Sequence, residues 1–157
     1  MTGVPTKVLF VCVSNSGKSV MAQGLARKLA ADQIIATSAG TAAKTSVNAL
    51  SAQALAEVGV DISAHRPTQL TDDLVRAADI VVVLGDQAHV DPVGDTPMEV
   101  WNTDEPSHRG VEGLDRMRLI RDDIASRVTD LAARLSNSNL RTSVVDGSGH
   151  SSGGQGR

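Results

Sequence analysis

The chain has 157 residues, 41 % of them apolar, one cysteine and a formal charge of -3, which is enough to bury a single sheet core and make one domain. The mild acidity gives no basic face for nucleic acid, and no run of the chain reaches the roughly 18 apolar residues of a membrane span. A lone cysteine forms no internal disulfide, and a first strand that begins within seven residues of Met1 leaves no room for a secretory signal, so a cytoplasmic protein is expected.

Lys7-Val8-Leu9-Phe10-Val11 is apolar without alternation, the pattern of a strand buried on both faces of a parallel sheet. The stretch Cys12-Val13-Ser14-Asn15-Ser16-Gly17-Lys18-Ser19 follows. Met21, Leu25 and Leu29 then recur every four residues beside Ala22 and Ala26, so this stretch is a loop opening an amphipathic helix that runs to about Ala31. Backbone N–H groups of residues 13 to 18, added to the positive end of the helix, form a concave anion site for a tetrahedral oxyanion. Cys12 sits at its rim, with Lys18 and Ser19 at the far end. Thiolate is the nucleophilic form of cysteine and is favoured beside a helix N-terminus and a cation, so the loop reads as a thiolate facing a bound oxyanion. A free cysteine can also simply end a buried strand as a small hydrophobe. The residues Ser16-Gly17-Lys18-Ser19 also match the end of the nucleotide-binding pattern Gly-x-x-x-x-Gly-Lys-Ser/Thr, but Cys12 stands where that pattern requires glycine.

Ile34 to Ser38, ended by Gly40, is the second strand, and the intervening helix makes its pairing with the first parallel. A helix follows from Val47 to the stop at Gly59. Thr71 caps a short acidic-headed helix, Ile80 to Leu84 is a central strand, residues 85–97 are a Gly/Asp/Pro loop, and Met98 to Asn102 is a fourth, edge strand. Trp101 reads as a packing residue. The apolar stripe from Leu114 to Leu135 is a covering helix laced by Asp123 to Arg127 and Asp130 to Arg134 pairs. Residues 1–135 therefore make the domain, and the Ser-, Asn- and Gly-rich residues 136–157 read as a flexible tail. His65, His89, His108 and His150 show no ligand spacing and read as solvated, so no metal site is expected.

Cys12, Asn15, Ser16, Ser19, Met21 and Ala22, followed in order by Ser38-Ala39-Gly40-Thr41, Val58 to Ser63, Asp79 to Leu84 and Glu105-Pro106, resemble the low-molecular-weight protein tyrosine phosphatase superfamily, which includes a class of arsenate reductases. The resemblance covers about residues 6 to 135. It implies a four-stranded parallel sheet of order 2-1-3-4 with helices on both faces and the site at the carboxyl ends of the strands. It further implies that Val13, Ser14, Asn15, Ser16 and Gly17 cradle the anion with Lys18, that Asn15 braces the loop, and that Ser19 donates to the Cys12 thiolate. Glu105, or Asp104 next to it, takes the place of the general acid. Two departures stand out. Lys18 replaces the loop arginine, whose planar fork matches an oxyanion better than an ammonium does. The two relay cysteines of thioredoxin-coupled arsenate reductases are also missing, their places read here as Leu84-Gly85-Asp86 and His89-Val90-Asp91. A Gly-Lys-Ser loop with one cysteine resembles the mycothiol-dependent arsenate reductases. That implies arsenate as substrate, mycothiol as co-substrate, no bound cofactor, and a mycoredoxin-type, glutaredoxin-like reductase as partner. A phosphatase, a nucleotide-binding P-loop protein and an oxyanion sensor are the alternatives.

Overall fold

The computed structural model describes residues 4–148. Strand β1 (Thr6–Cys12) leads into α1 (Lys18–Leu29), then come β2 (Ile34–Gly40), α2 (Ala49–Ala56), α3 (Asp72–Ala77), β3 (Ile80–Leu84), β4 (Met98–Trp101), a short 3-10 helix (Pro106–Arg109) and α4 (Gly113–Ser148). The sheet is four-stranded with order β2-β1-β3-β4 and every pairing parallel, as the resemblance implied. Cys12 pairs with Gly40, Val11 with Val83, and Leu84 with Trp101. This register sets the carboxyl ends of all four strands along one edge, where ligands bind in open α/β sheets.

The unbroken apolar run of β1 is explained by the two clusters it joins. Val8 and Phe10 face Met21 and Leu25 of α1 and Ile120, Ile124, Val128 and Leu131 of α4. Leu9 and Val11 face the other way, against Val75 of α3 and partners from β3. Trp101 is buried against Phe10, with ring centroids 5.7 Å apart at 55°, a tilted pair contributing ~0.5–1.5 kcal/mol beyond its buried area. Its packing role is therefore observed, and its Nε1–H is satisfied by Glu99 Oε2 at 2.7 Å.

Several boundaries differ from the sequence reading. Helix α1 stops at Leu29, and α2 begins at Ala49 because Asn48 caps it, its Oδ1 accepting from Ser51 N–H at 2.9 Å. Thr71 caps α3 as expected. The boundary placed after residue 135 is not a structural one, since α4 continues to Ser148. No glycine or proline falls between Leu114 and Asp146, so over that range nothing in the polar composition breaks the helix. Residues 149–157, which include His150, lie outside the described residues. No helix among those described is long and apolar enough to cross a membrane.

Candidate active site

The loop from Cys12 to Gly17 is held by a strap of backbone, residues 41–48, that continues from the end of β2. The carbonyls of Cys12, Val13, Ser14 and Ser16 accept from the N–H groups of Thr41, Ala42, Lys44 and Asn48 at 3.0, 2.8, 3.0 and 2.8 Å. Peptides are planar and trans here, so turning these carbonyls toward the strap turns the following N–H groups, of Val13, Ser14, Asn15 and Gly17, to the opposite, concave side. The Asn15 N–H shows that direction: it lies 3.3 Å from Cys12 Sγ. The close approach depends on Gly40. A Cβ there would come within 2.6 Å of Val13 O and 2.9 Å of Asn15 N.

Asn15 is the brace. It is fully buried and has φ 52°, the left-handed conformation that asparagine tolerates better than most residues. Its Nδ2–H donates to Ser19 Oγ at 2.7 Å, and its Oδ1 accepts from Thr68 N–H at 2.9 Å and His65 Nε2–H at 3.0 Å. Ser19 Oγ lies 3.0 Å from Cys12 Sγ. Having accepted from Asn15, the Ser19 hydroxyl keeps its own proton for a thiolate at Cys12. Ser14 and Ser16 hydroxyls bond each other at 2.8 Å beside it.

His65 corrects the sequence reading. It is half-buried, and desolvation, followed by the Arg27 charge, moves its pKa down, so it is held neutral. Its Nδ1 lies 3.5 Å from Gln23 Nε2, and Gln23 Oε1 accepts from Ser38 Oγ at 2.7 Å. The imidazole thus ties α1 and β2 to the loop from fifty residues away, a link no local spacing reveals. His89 and His108 are exposed, as read. Among the described residues no group of three or more His, Cys, Asp or Glu side chains gathers to hold a metal.

A cavity of about 890 Å³ opens over Cys12. Both candidate acids line it, and both are held in ion pairs. Glu105 takes a bidentate fork from Arg116 (Nε to Oε2 2.8 Å, Nη2 to Oε1 3.0 Å), a bond from Ser107 Oγ at 2.8 Å, and Lys18 Nζ at 3.6 Å. The Arg116 hydrogen bonds, with smaller help from Ser107 and Lys18, hold its carboxyl down to about 2. Asp104 turns outward to the fork of Arg109 at 2.8 and 2.9 Å, which lowers its pKa in turn. In this structure both carboxylates implied as general acid, Glu105 and Asp104, are ion-paired, with cations from the 3-10 helix and α4 that the sequence reading did not place. Lys18 spans the mouth, reaching Glu105 and lying 3.4 Å from the Cβ position of Gly85.

The family model described as low molecular weight phosphotyrosine protein phosphatase matches residues 7–141. The chain belongs to this family. Within it, an arsenate reductase of Halalkalibacterium halodurans is 34 % identical over 133 residues, covering 80 % of this chain and 94 % of that protein. An arsenate reductase of Bacillus subtilis is 33 % identical over 135 residues, with the same shares. Among solved structures, an arsenate reductase in the phosphate binding state matches with TM-score 0.70 and 31 % identity over 83 % of this chain and 99 % of that one. A thioredoxin-dependent arsenate reductase of Corynebacterium glutamicum matches with TM-score 0.68 and 30 % identity over 88 % of this chain and 65 % of that one. These relatives place the chain on the arsenate reductase branch of the family.

Proposed function

We propose that the protein is an arsenate reductase that passes arsenate from a Cys12 adduct to an external small thiol, mycothiol. The observation that carries this reading is a single thiol: Cys12 Sγ stands at the cradle, and the 157 residues contain no second cysteine. The Cys12 thiolate attacks arsenic held by the inward N–H groups of the loop, forming an S–As bond as an As–O bond breaks and the oxygen leaves as water. Mycothiol then displaces Cys12 from arsenic, still in its +5 state, and Cys12 is regenerated. A thiol of a glutaredoxin-like, mycoredoxin-type reductase attacks the mycothiol sulfur. An S–S bond forms, the S–As pair passes to arsenic, and arsenite is released at +3. Two electrons are matched by one disulfide, made wholly off this chain. Resemblance supports mycothiol as the thiol, and Leu84, Gly85 and Asp86, which occupy one of the relay-cysteine places, line the cavity.

The second reading, hydrolysis of an aryl phosphate, has the family description in its favour. One assay separates the two. Arsenite formation is followed with mycothiol plus a mycoredoxin, with glutathione plus a glutaredoxin, and with thioredoxin plus its reductase, beside aryl phosphate hydrolysis without thiol. Multiple turnovers with mycothiol and none with thioredoxin alone are expected. Equal rates with thioredoxin alone overturn the mycothiol assignment, and aryl phosphate hydrolysis without any arsenite formation overturns the reductase.

A further inference from the structure

Every polar contact made by the Glu105 carboxylate is with a donor. Arg116 gives two N–H bonds, Ser107 gives its hydroxyl proton, and the Lys18 ammonium lies at 3.6 Å. Two of these partners, Arg116 and Lys18, are cations, so no group around Glu105 is arranged to accept a carboxylic proton or to favour its presence. Lys18 comes from the start of α1 and Arg116 from the first turns of α4. Asp104 pairs with Arg109, and Lys44, Asp86 and His108 also line the cavity. The Asp104 backbone is itself pinned, its N–H donating to Asp123 Oδ2 on α4 at 2.8 Å. The neighbouring Asp104 carboxylate is thus also occupied, by the Arg109 fork.

We propose that Arg116 is a positioning residue that sets the substrate preference of this site, by fixing Glu105 as an anion that steers Lys18, so that only an oxyanion bringing its own protons for the departing oxygen is processed well. This rests on the arsenate reading above and deepens it. When the Cys12 thiolate attacks dihydrogen arsenate, the S–As bond forms, one As–O bond breaks, and both substrate protons leave with that oxygen as water. The adduct carries the two negative charges the reactants brought, arsenic stays at +5, and the protein contributes no proton. An aryl phosphate differs at the bond that breaks. Its departing aryloxide has no proton, so the step depends on a general acid, whose removal costs on the order of 10²–10⁴-fold. The same ion pair that suits arsenate therefore handicaps the phosphatase reaction.

The test uses the full chain as wild type, Arg116→Met and Glu105→Gln, with para-nitrophenyl phosphate hydrolysis and arsenate reduction by a small thiol both followed from pH 4.5 to 8. Arg116→Met frees the Glu105 carboxyl to hold a proton. Its phosphatase kcat at pH 5 should rise at least about tenfold, with a new limb falling toward neutrality, while arsenate turnover does not rise. Glu105→Gln in the otherwise natural chain should lower either kcat/KM by less than about tenfold, since only steering of Lys18 is lost. A merely structural role for Arg116 would lower both activities together and add no limb. The proposal is overturned if folded Arg116→Met, checked by circular dichroism, shows no phosphatase gain, or if Glu105→Gln removes an ionisation already present in the wild-type phosphatase profile along with most of the activity. Absence of arsenite from all three proteins with every thiol would sink the arsenate reading instead, and the phosphatase readout would still decide the role of Arg116.

Discussion

The cradle and its mouth are built by opposite means. The cradle is backbone: four carbonyls tied to the strap, a buried asparagine, and N–H groups whose directions follow from peptide geometry. The mouth is side chain: Lys18, Glu105, Arg116, Asp104 and Arg109, half exposed and gathered from α1, α4, the 3-10 helix and the loop after β4. On the reading proposed above, anion binding would rest on the backbone part and substrate choice on the side-chain part.

The sharpest way to divide the two is at the sulfur. Cys12→Ser should abolish turnover, by at least about 10⁴-fold, yet bind arsenate or sulfate within about threefold of wild type because the cradle is backbone. Calorimetric titration of the variant checks this, and lost anion binding would show that the sulfur holds the loop together. Next comes the backbone itself. Gly40→Ala forces a methyl against Val13 O and Asn15 N, an overpacking that should cost ~1–3 kcal/mol of stability and should weaken oxyanion binding about tenfold or more as the N–H groups splay. Thermal melts with and without sulfate read both, and an unaltered sulfate shift would mean that the loop tolerates the push. The smallest effect is expected at the mouth's outer rim. Arg109→Ala removes an exposed fork from Asp104, and such pairs contribute little, so kcat and KM for arsenate should move by less than about threefold. A larger change in kcat would make Asp104 part of the chemistry.

The same division governs what could be read from the sequence. Strand β1, the loop and α1 are contiguous, and their apolar spacing with Cys12, Asn15 and Ser19 in fixed steps exposed the loop and the thiol beside it. The four-stranded order followed from resemblance and was met in full. What escaped depends on pairs far apart in the chain. His65 meets Asn15 across fifty residues, and its lone position among polar neighbours gave no periodic signal. Arg116 reaches Glu105 from a helix whose apolar stripe was legible while the direction of its charged flank was not, so the acid was seen without the cation that pairs with it. Gly40 was noticed as a strand stop, but the reason for it lies in the Val13 carbonyl it lets approach. Past Leu135 the helix runs on to Ser148 because its polar residues up to Asp146 include no glycine or proline.

The strap over residues 41–48 has one more consequence. Water around a tetrahedral anion must reorient each time charge moves during a reaction, and that reorientation is part of the barrier. Here the strap has already fixed the carbonyls, so the facing N–H groups behave as a solvation shell frozen in advance, whose alignment was settled when the chain folded and is not repeated at each turnover.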